Sequence, residues 1–307
     1  MRKIGILGLS NKSELMLKLI KKVKTFEITG IYDVNTALSL KIAENSKVPF
    51  NPNPFGLIIE SDLVIISKTD SNSFNFIVES ILNSRHVVIE NPVNLSLNEI
   101  DELNKLATEA AVSVVPFLPF RFSNCLINTK SYIFNPGYLN ISFNSTPEYK
   151  TTAADTLGNL LNIIDICVNL VKANIKKVQA NAVRIVGKIP QLINANLEFD
   201  NGCSAFISLD FISNRDELLI SVYQPKQIVN IDLKKNFSII KTFNKDNILE
   251  FDITKPVVSK DENPYEEIIN YLITFETFQT PVSIMESFRS SLSIFKKVED
   301  KITHYLQ

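Results

Sequence analysis

Over its first 120 residues the chain alternates short apolar runs with stretches whose apolar residues recur three and four apart, a pattern few folds accept. Lys3–Gly8 is an apolar run closed by a glycine, and Met16, Leu19, Ile20 and Val23 then follow at helical spacing. Glu27–Asp33 reads as a second strand and Ala37–Glu44 as a helix. Asp62–Ser67 is continuously apolar, as expected of a parallel strand covered on both faces. Phe74–Leu82 is helical and His86–Ile89 is the next strand. Ser96 with Glu99 forms a capping box that opens a helix carrying Ile100, Leu103 and Leu106 on one face; Ser113–Phe117 closes the series. Strands separated by single helices predict a doubly wound parallel sheet with right-handed crossovers.

The pattern changes in residues 121–307. Leu139–Asn144 reads as a strand and Leu157–Lys172 as a long apolar helix. From Val178 to about Ile253 strands dominate. Asp200-Asn201-Gly202 is a hairpin turn, after which Cys203, Ala205, Ile207, Leu209 and Phe211 alternate with Ser204, Ser208 and Asp210. From Pro264 onward the pattern returns to helix. The expectation is an α/β protein: a parallel-sheet domain over 1–120, then an α+β domain with a large, mostly antiparallel open sheet. One face of such a sheet must be covered or wet, so a homodimer or homotetramer through it is expected.

With 32 basic and 33 acidic side chains the formal net charge is -1, which offers no field for nucleic acid or an anionic membrane and leaves a small molecule as the expected partner. No stretch reads as a membrane span. The N-terminal apolar run ends at a Gly-Leu-Ser turn and reads as a strand rather than a leader, so a cytoplasmic protein is expected. Cys125, Cys167 and Cys203 are odd in number, far apart and without metal spacing, which predicts small buried apolar residues and neither a disulfide framework nor a metal site.

Gly8-Leu9-Ser10-Asn11-Lys12-Ser13 lies where a dinucleotide-binding strand–turn–helix has G-x-G-x-x-G. In that motif glycine serves the tight turn, the close backbone approach to the pyrophosphate and the helix–strand packing. Only Gly8 is glycine here. Ser10 and Ser13 are the next smallest choices, with hydroxyls able to donate to phosphate. Asp33 stands 20 residues after Ser13 at the end of the second strand, the position of a carboxylate that accepts ribose hydroxyls, with no adjacent arginine for a 2′-phosphate. These residues predict a Rossmann domain that favours NAD(H) over NADP(H), with Gly8, Ser10, Asn11, Ser13, Asp33, Ser67, Lys68 and Glu90 as candidate cofactor contacts. The competing reading keeps the fold, removes the ligand and makes Asp33 a loop acid.

At Val87-Val88-Ile89-Glu90-Asn91-Pro92, preceded by Arg85-His86, the chain resembles the glucose–fructose oxidoreductase / inositol dehydrogenase (Gfo/Idh/MocA) family, which has Glu-Lys-Pro there after a Lys-His pair. The resemblance extends over most of the chain: the glycine turn, Asp33, the Asp62–Ser67 strand, Phe120-Arg121-Phe122, and a C-terminal helix reached through Pro281-Val282-Ser283. It implies NAD(P)-dependent oxidation or reduction of sugar-like or cyclic polyol substrates, at an active site between the Rossmann sheet and the open sheet of the second domain.

The departures fall on the chemistry. The family's lysine corresponds to Asn91, and its His-x-x-Asp motif to Asn162-Ile163-Ile164-Asp165. A histidine the family often has after the third strand falls near Ser73. Hydride transfer between alcohol and ketone needs a group that takes or gives a proton, and an amide hydrogen-bonds without titrating near neutrality. Of the two histidines, His86 precedes a core strand and His304 sits near the C-terminus. The candidate catalytic set is therefore Asp165, Asn91, Asn162 and Arg121. Asp165 is a buried acid on an apolar helix that either serves as an acid or caps or bridges structure, and Arg121 is either a fork for a substrate carboxylate or a solvated or structural residue. Lys68 stands where the family often has proline near the nicotinamide and is read either as a displaced proton donor or as a surface lysine. Three functions remain: an oxidoreductase with an altered proton route, a non-catalytic nucleotide or sugar sensor on this fold, and a reductase resembling biliverdin reductase.

Overall fold

A computed structural model describes residues 1–10, 13–67, 72–147, 152–244, 248–256 and 281–303. The chain divides into two compact units. The first is Met1–Leu118 together with residues 281–289 of the last helix; the second begins at Pro119 and takes that helix from residue 290.

In the first unit β1 (Arg2–Leu7), β2 (Phe26–Tyr32), β3 (Leu63–Ile66), β4 (His86–Glu90) and β5 (Val114–Phe117) form a parallel five-stranded sheet in the order β2-β1-β3-β4-β5. All four residues of β3 are buried, which is why that run is apolar without alternation. The order reverses direction between β1 and β3, and in open parallel sheets ligands bind at the carboxyl ends of the strands flanking such a reversal. Helices α1 (Ser13–Ile20), α2 (Thr36–Ser46), α4 (Ser73–Leu82) and α5 (Leu97–Glu109) fall where the spacing predicts them. The capping box of α5 is formed: Ser96 Oγ accepts from Glu99 N and Ser96 N donates to Glu99 Oε2. Helix α3 (Pro54–Glu60) is an addition to the expected series. Its start was nonetheless written locally: Pro54 lacks the N–H that a first turn leaves unused, and the Asn53 side chain accepts from Phe55 N and Gly56 N. Two turns with a glycine inside show too little periodicity to stand out.

The second unit holds β6 (Tyr138–Asn144), β7 (Ile175–Val183), β8 (Leu192–Phe199), β9 (Ser204–Asp210), β10 (Glu217–Gln224), β11 (Gln227–Asp232), β12 (Phe237–Phe243) and β13 (Phe251–Thr254). They form one sheet in the order β13-β12-β11-β10-β6-β9-β8-β7, antiparallel except where β6 runs parallel to β9. The hairpin turn forms as expected: Gly202 takes φ 85°, where a Cβ would be strained, and Phe199 N donates to Cys203 O. Cys203, Ala205, Ile207 and Leu209 are buried while Ser204, Phe206 and Ser208 are partly exposed, so the sheet has a core face and an open face. Helix α6 (Asn124–Lys130) precedes β6, and α7 (Ala153–Val171) packs against β9 and the short turn Pro119–Phe122. The last helix, α8 (Pro281–Ile302), lies within the tail expected to be helical.

The reading that no stretch resembles a membrane span needs one correction. By length and mean hydropathy (1.3) α7 would qualify, but 67% of that window is buried inside the protein, so its apolar surface is core. The three cysteines are buried thiols, as their sequence context predicts. Burial pushes the Cys203 thiol up to about 11 and that of Cys167 higher still. The thiolate is the reacting species, so native protein at mildly alkaline pH should resist a thiol reagent, and all three cysteines should react in denaturant. Rapid labelling of either Cys167 or Cys203 in the folded state would contradict this placement.

Candidate functional site

Gly8 follows β1 directly and takes φ 71°, a left-handed conformation that glycine reaches without steric cost. Its N–H donates to Tyr32 O at the end of β2 (2.8 Å), and Ser67 N donates to Leu7 O (2.9 Å). The turn is thus pinned between the ends of the two strands that neighbour β1.

Asp33 completes this arrangement. Its Oδ2 accepts from Leu9 N at 2.7 Å and its Oδ1 from Asn35 N at 2.8 Å, and the residue is 4% exposed. Burying a carboxylate is costly unless its oxygens are met by donors, and two backbone N–H groups meet this one. Hydrogen bonds to a charged partner contribute about 1.5–3 kcal/mol each. Each oxygen keeps acceptor capacity, and Asp33 lines a crevice with Gly8, Tyr32, Val34, Ser73 and Phe76. Tyr32 and Phe76 meet edge to face at 6.0 Å. These aromatic walls carry no local signal in the sequence. Tyr32 adjoins Asp33 and Phe76 sits in the first turns of α4, but each on its own reads as core.

The two serines behave differently from the phosphate-donor expectation. Ser13 is fully buried: its Oγ accepts from Ser10 N (2.8 Å) and lies 3.1 Å from Ser67 Oγ. Its hydroxyl therefore points beneath the turn and is spent on the protein. Ser10 Oγ is 3.2 Å from Ser67 Oγ, and the Ser67 hydroxyl donates to Glu90 Oε2. The directions are forced, because Glu90 as a carboxylate only accepts and Ser10 N only donates. The chain runs Ser10 N–H to Ser13 Oγ–H to Ser67 Oγ–H to the Glu90 carboxylate. Serine thus replaces the third glycine of the motif because the end of β3 and the end of β4 supply a polar lining for its hydroxyl. Glu14 adds a negative charge to the first turn of α1, but Asn45 Nδ2 on α2 donates to its carboxylate at 3.2 Å. A left-handed glycine and a buried acid with spare acceptor capacity at the strand reversal suit the ribose of a dinucleotide, while the aromatic-walled crevice beside them, about 10 Å³, has room for a water rather than a base. Asn11 and Lys68 lie outside the described residues, as does His304.

Asn91 takes φ 46°, ψ 64° and caps the short turn Pro92–Asn94. Asparagine is among the few residues with a side chain that enter this region readily, so backbone geometry alone accounts for it. His86 Nδ1 accepts from Ser113 N at 3.1 Å, tying the start of β4 to that of β5.

In the second unit Arg121 and Asp165 meet each other. Arg121 Nε donates to Asp165 Oδ2 at 2.8 Å, Nη2 donates to Oδ1, and Ser291 Oγ adds a third bond to Oδ1 at 2.7 Å. Asp165 is 1% exposed. Of the two readings of each residue, bridging structure is the one formed: Asp165 and Arg121 make a clasp joining the Pro119–Phe122 turn, α7 and α8. Asn162 lies one turn before Asp165. Its Nδ2 donates to Gly158 O at 2.9 Å, which fixes the orientation of the amide, and among the described residues its buried Oδ1 has no donor. It is 7% exposed.

Residues 2–117 match a family model described as GFO_IDH_MocA, oxidoreductase family, NAD-binding Rossmann fold. The first domain thus resembles the NAD-binding domain of that family. The whole chain shares its fold with the UDP-N-acetylglucosamine 3-dehydrogenase of Acidithiobacillus ferrooxidans, with TM-score 0.88 and 17% identity over 100% of this chain and 99% of that one. It likewise shares it with a biliverdin reductase of Synechocystis sp. PCC 6803, solved with biliverdin and NADP+, with TM-score 0.76 and 15% identity over 98% of this chain and 99% of that one. A glucose-6-phosphate 3-dehydrogenase of Bacillus subtilis (strain 168) is 23% identical over 135 residues, 44% of this chain and 39% of that protein. The aligned stretch therefore spans about two fifths of this curated relative.

The clasp and the hydroxyl chain differ in what their removal costs. Asp165→Ala strands the Arg121 guanidinium and should lower unfolding free energy by about 3–5 kcal/mol, whereas the double change Arg121→Met with Asp165→Leu should recover much of the loss. Ser67→Ala removes one donor from buried Glu90 and should cost about 1–3 kcal/mol. Urea unfolding midpoints measure all three; a near-neutral Asp165→Ala would show that the clasp is not structural.

Proposed function

We propose that the chain is a nicotinamide-dependent oxidoreductase that prefers NAD(H) to NADP(H) and acts on a sugar-like or cyclic polyol small molecule. The observation that carries the reading is the buried Asp33 carboxylate, held by two backbone N–H groups at the edge of the crevice beside the Gly8 turn. A fixed negative charge there accepts ribose hydroxyls and repels a 2′-phosphate. The family and the sugar dehydrogenases similar to this chain support the reaction class. A bound nicotinamide would supply or accept the hydride.

The contribution of the protein is then orientation and hydrogen bonding. The Gly8 turn receives the dinucleotide backbone, with Ser13, Ser67 and Glu90 keeping it rigid from below. Asn162 Oδ1, an acceptor fixed by Gly158 and lacking a donor among the described residues, suits a substrate hydroxyl. An amide orients that hydroxyl without removing its proton, which in an oxidation would pass to water, so turnover through Asn162 should rise with hydroxide concentration and show no inflection at a protein pKa.

A non-catalytic sensor on the same fold is the second reading, favoured by the amides of Asn91 and Asn162 where the family has titrating groups. Thermal unfolding with NADH separates binding from its absence. Cofactor at about 100 times its Kd should stabilise by about 2.7 kcal/mol, and Asp33→Ala should abolish the shift. No shift at saturating cofactor would sink the oxidoreductase reading and a nucleotide sensor with it. Absorbance of reduced nicotinamide with nucleotide sugars, sugar phosphates and cyclic polyols then distinguishes the two, because a sensor leaves it constant.

The open face of the second sheet exposes Tyr138, Leu219 and Tyr223, and Tyr138 packs its ring against Tyr223 at 5.8 Å. We propose self-association through this face. Light scattering should give a mass of at least twice 34.6 kDa, and a charge placed at Leu219 should reduce it.

A further inference from the structure

The second unit contains a cavity of about 190 Å³ between the Pro119–Phe122 turn, α6 and α7. At roughly 30 Å³ per water it would hold about six waters or one small organic molecule. Its walls are aliphatic, with Leu126 from α6 and Ile166 from α7, while Arg121, Lys130 and Asp165 supply the charge.

The charges do not balance. Arg121 and Asp165 neutralise each other in the clasp. Lys130, the last residue of α6, is then left beside Lys172, which caps the C-terminal end of α7. Burial, Lys172 and Arg121 together hold the Lys130 ammonium below the usual lysine range, and Asp165 opposes them. Of the charged residues that line the cavity, Arg121 and Lys130 are cations and Asp165 is the acid. Helix C-termini favour cations, which accounts for lysines at the ends of α6 and α7. It does not account for an aliphatic hollow opening beside Lys130, an exposed residue whose charge the clasp leaves unpaired.

We propose that this cavity binds a small organic monoanion, a carboxylate with a short aliphatic tail, its carboxylate on Lys130 and its tail between α6 and α7. The aliphatic walls match the tail, and a bare phosphate would leave them wet. The site rests on the second unit alone and stands whether or not the chain turns over a nicotinamide.

Hexanoate is the probe, with 1-hexanol as its uncharged counterpart and inorganic phosphate as an anion without a tail. Calorimetric titration of the full chain should show saturable hexanoate binding. Lys130→Met keeps the side-chain length and should weaken hexanoate at least tenfold. It also removes a like-charge repulsion, so its unfolding midpoint should equal or exceed that of the wild type. Ile127→Trp, at a half-exposed residue lining the cavity, should block binding while leaving Lys130 in place. The proposal is overturned if hexanoate fails to saturate or binds both variants as well as the wild type. It is equally overturned if hexanol or phosphate binds as tightly as hexanoate.

Discussion

The hydrogen bond from Leu9 N to Asp33 Oδ2, 2.7 Å long and buried, is the constraint on which the first domain's site depends. The motif at this turn lacks two of its three glycines, so the backbone cannot rely on absent side chains for its shape. The end of β2 supplies the shape instead. Asp33 grips the turn from one side through Leu9 N, and Tyr32 O takes the N–H of Gly8 beside it. From below, Ser13 replaces the space of a glycine with a hydroxyl that has a defined destination. The carboxylate at one end of the turn and the one at the far end of the hydroxyl chain, Asp33 and Glu90, are both buried and both met by donors. A buried charge with its donors in place fixes geometry, whereas one without them would destabilise the fold.

Much of the fold could be read from local rules. The all-buried run of β3, the Ser96–Glu99 box and the Asp200–Gly202 hairpin each act over a few residues, and each formed as its chemistry requires. What could not be read were consequences of distance. Ser13 and Ser67 are far apart in sequence and meet only because β3 lies next to β1. Arg121, Asp165 and Ser291 come from three separate elements, and none of them carries a local sign of its partners. Burial of Asp165 was legible from the apolar helix around it, but the compensation was not. That difference separates a candidate acid from a structural clasp. Asn91 shows the converse, because a residue that looked like lost chemistry sits where the backbone itself favours asparagine.

These placements narrow the chemistry that remains. With Asp165 committed to Arg121 and Ser291, the second unit offers the fixed amide of Asn162 rather than a titrating group along that face of α7. A catalyst built this way depends on positioning and on the intrinsic reactivity of what it binds. That is a smaller demand for a redox reaction, in which the cofactor carries the electrons, than for hydrolysis, in which the protein must generate a nucleophile.

The central claim is that the Asp33 carboxylate makes the first domain a selective nucleotide site. Its most direct test is a pair of equilibrium titrations, NADH against NADPH, followed by nicotinamide fluorescence, which no tryptophan in this chain obscures. The account expects NADH to bind at least tenfold more tightly, about 1.4 kcal/mol, and the preference to vanish in Asp33→Asn. Equal affinity for the two, or tighter NADPH, would contradict it.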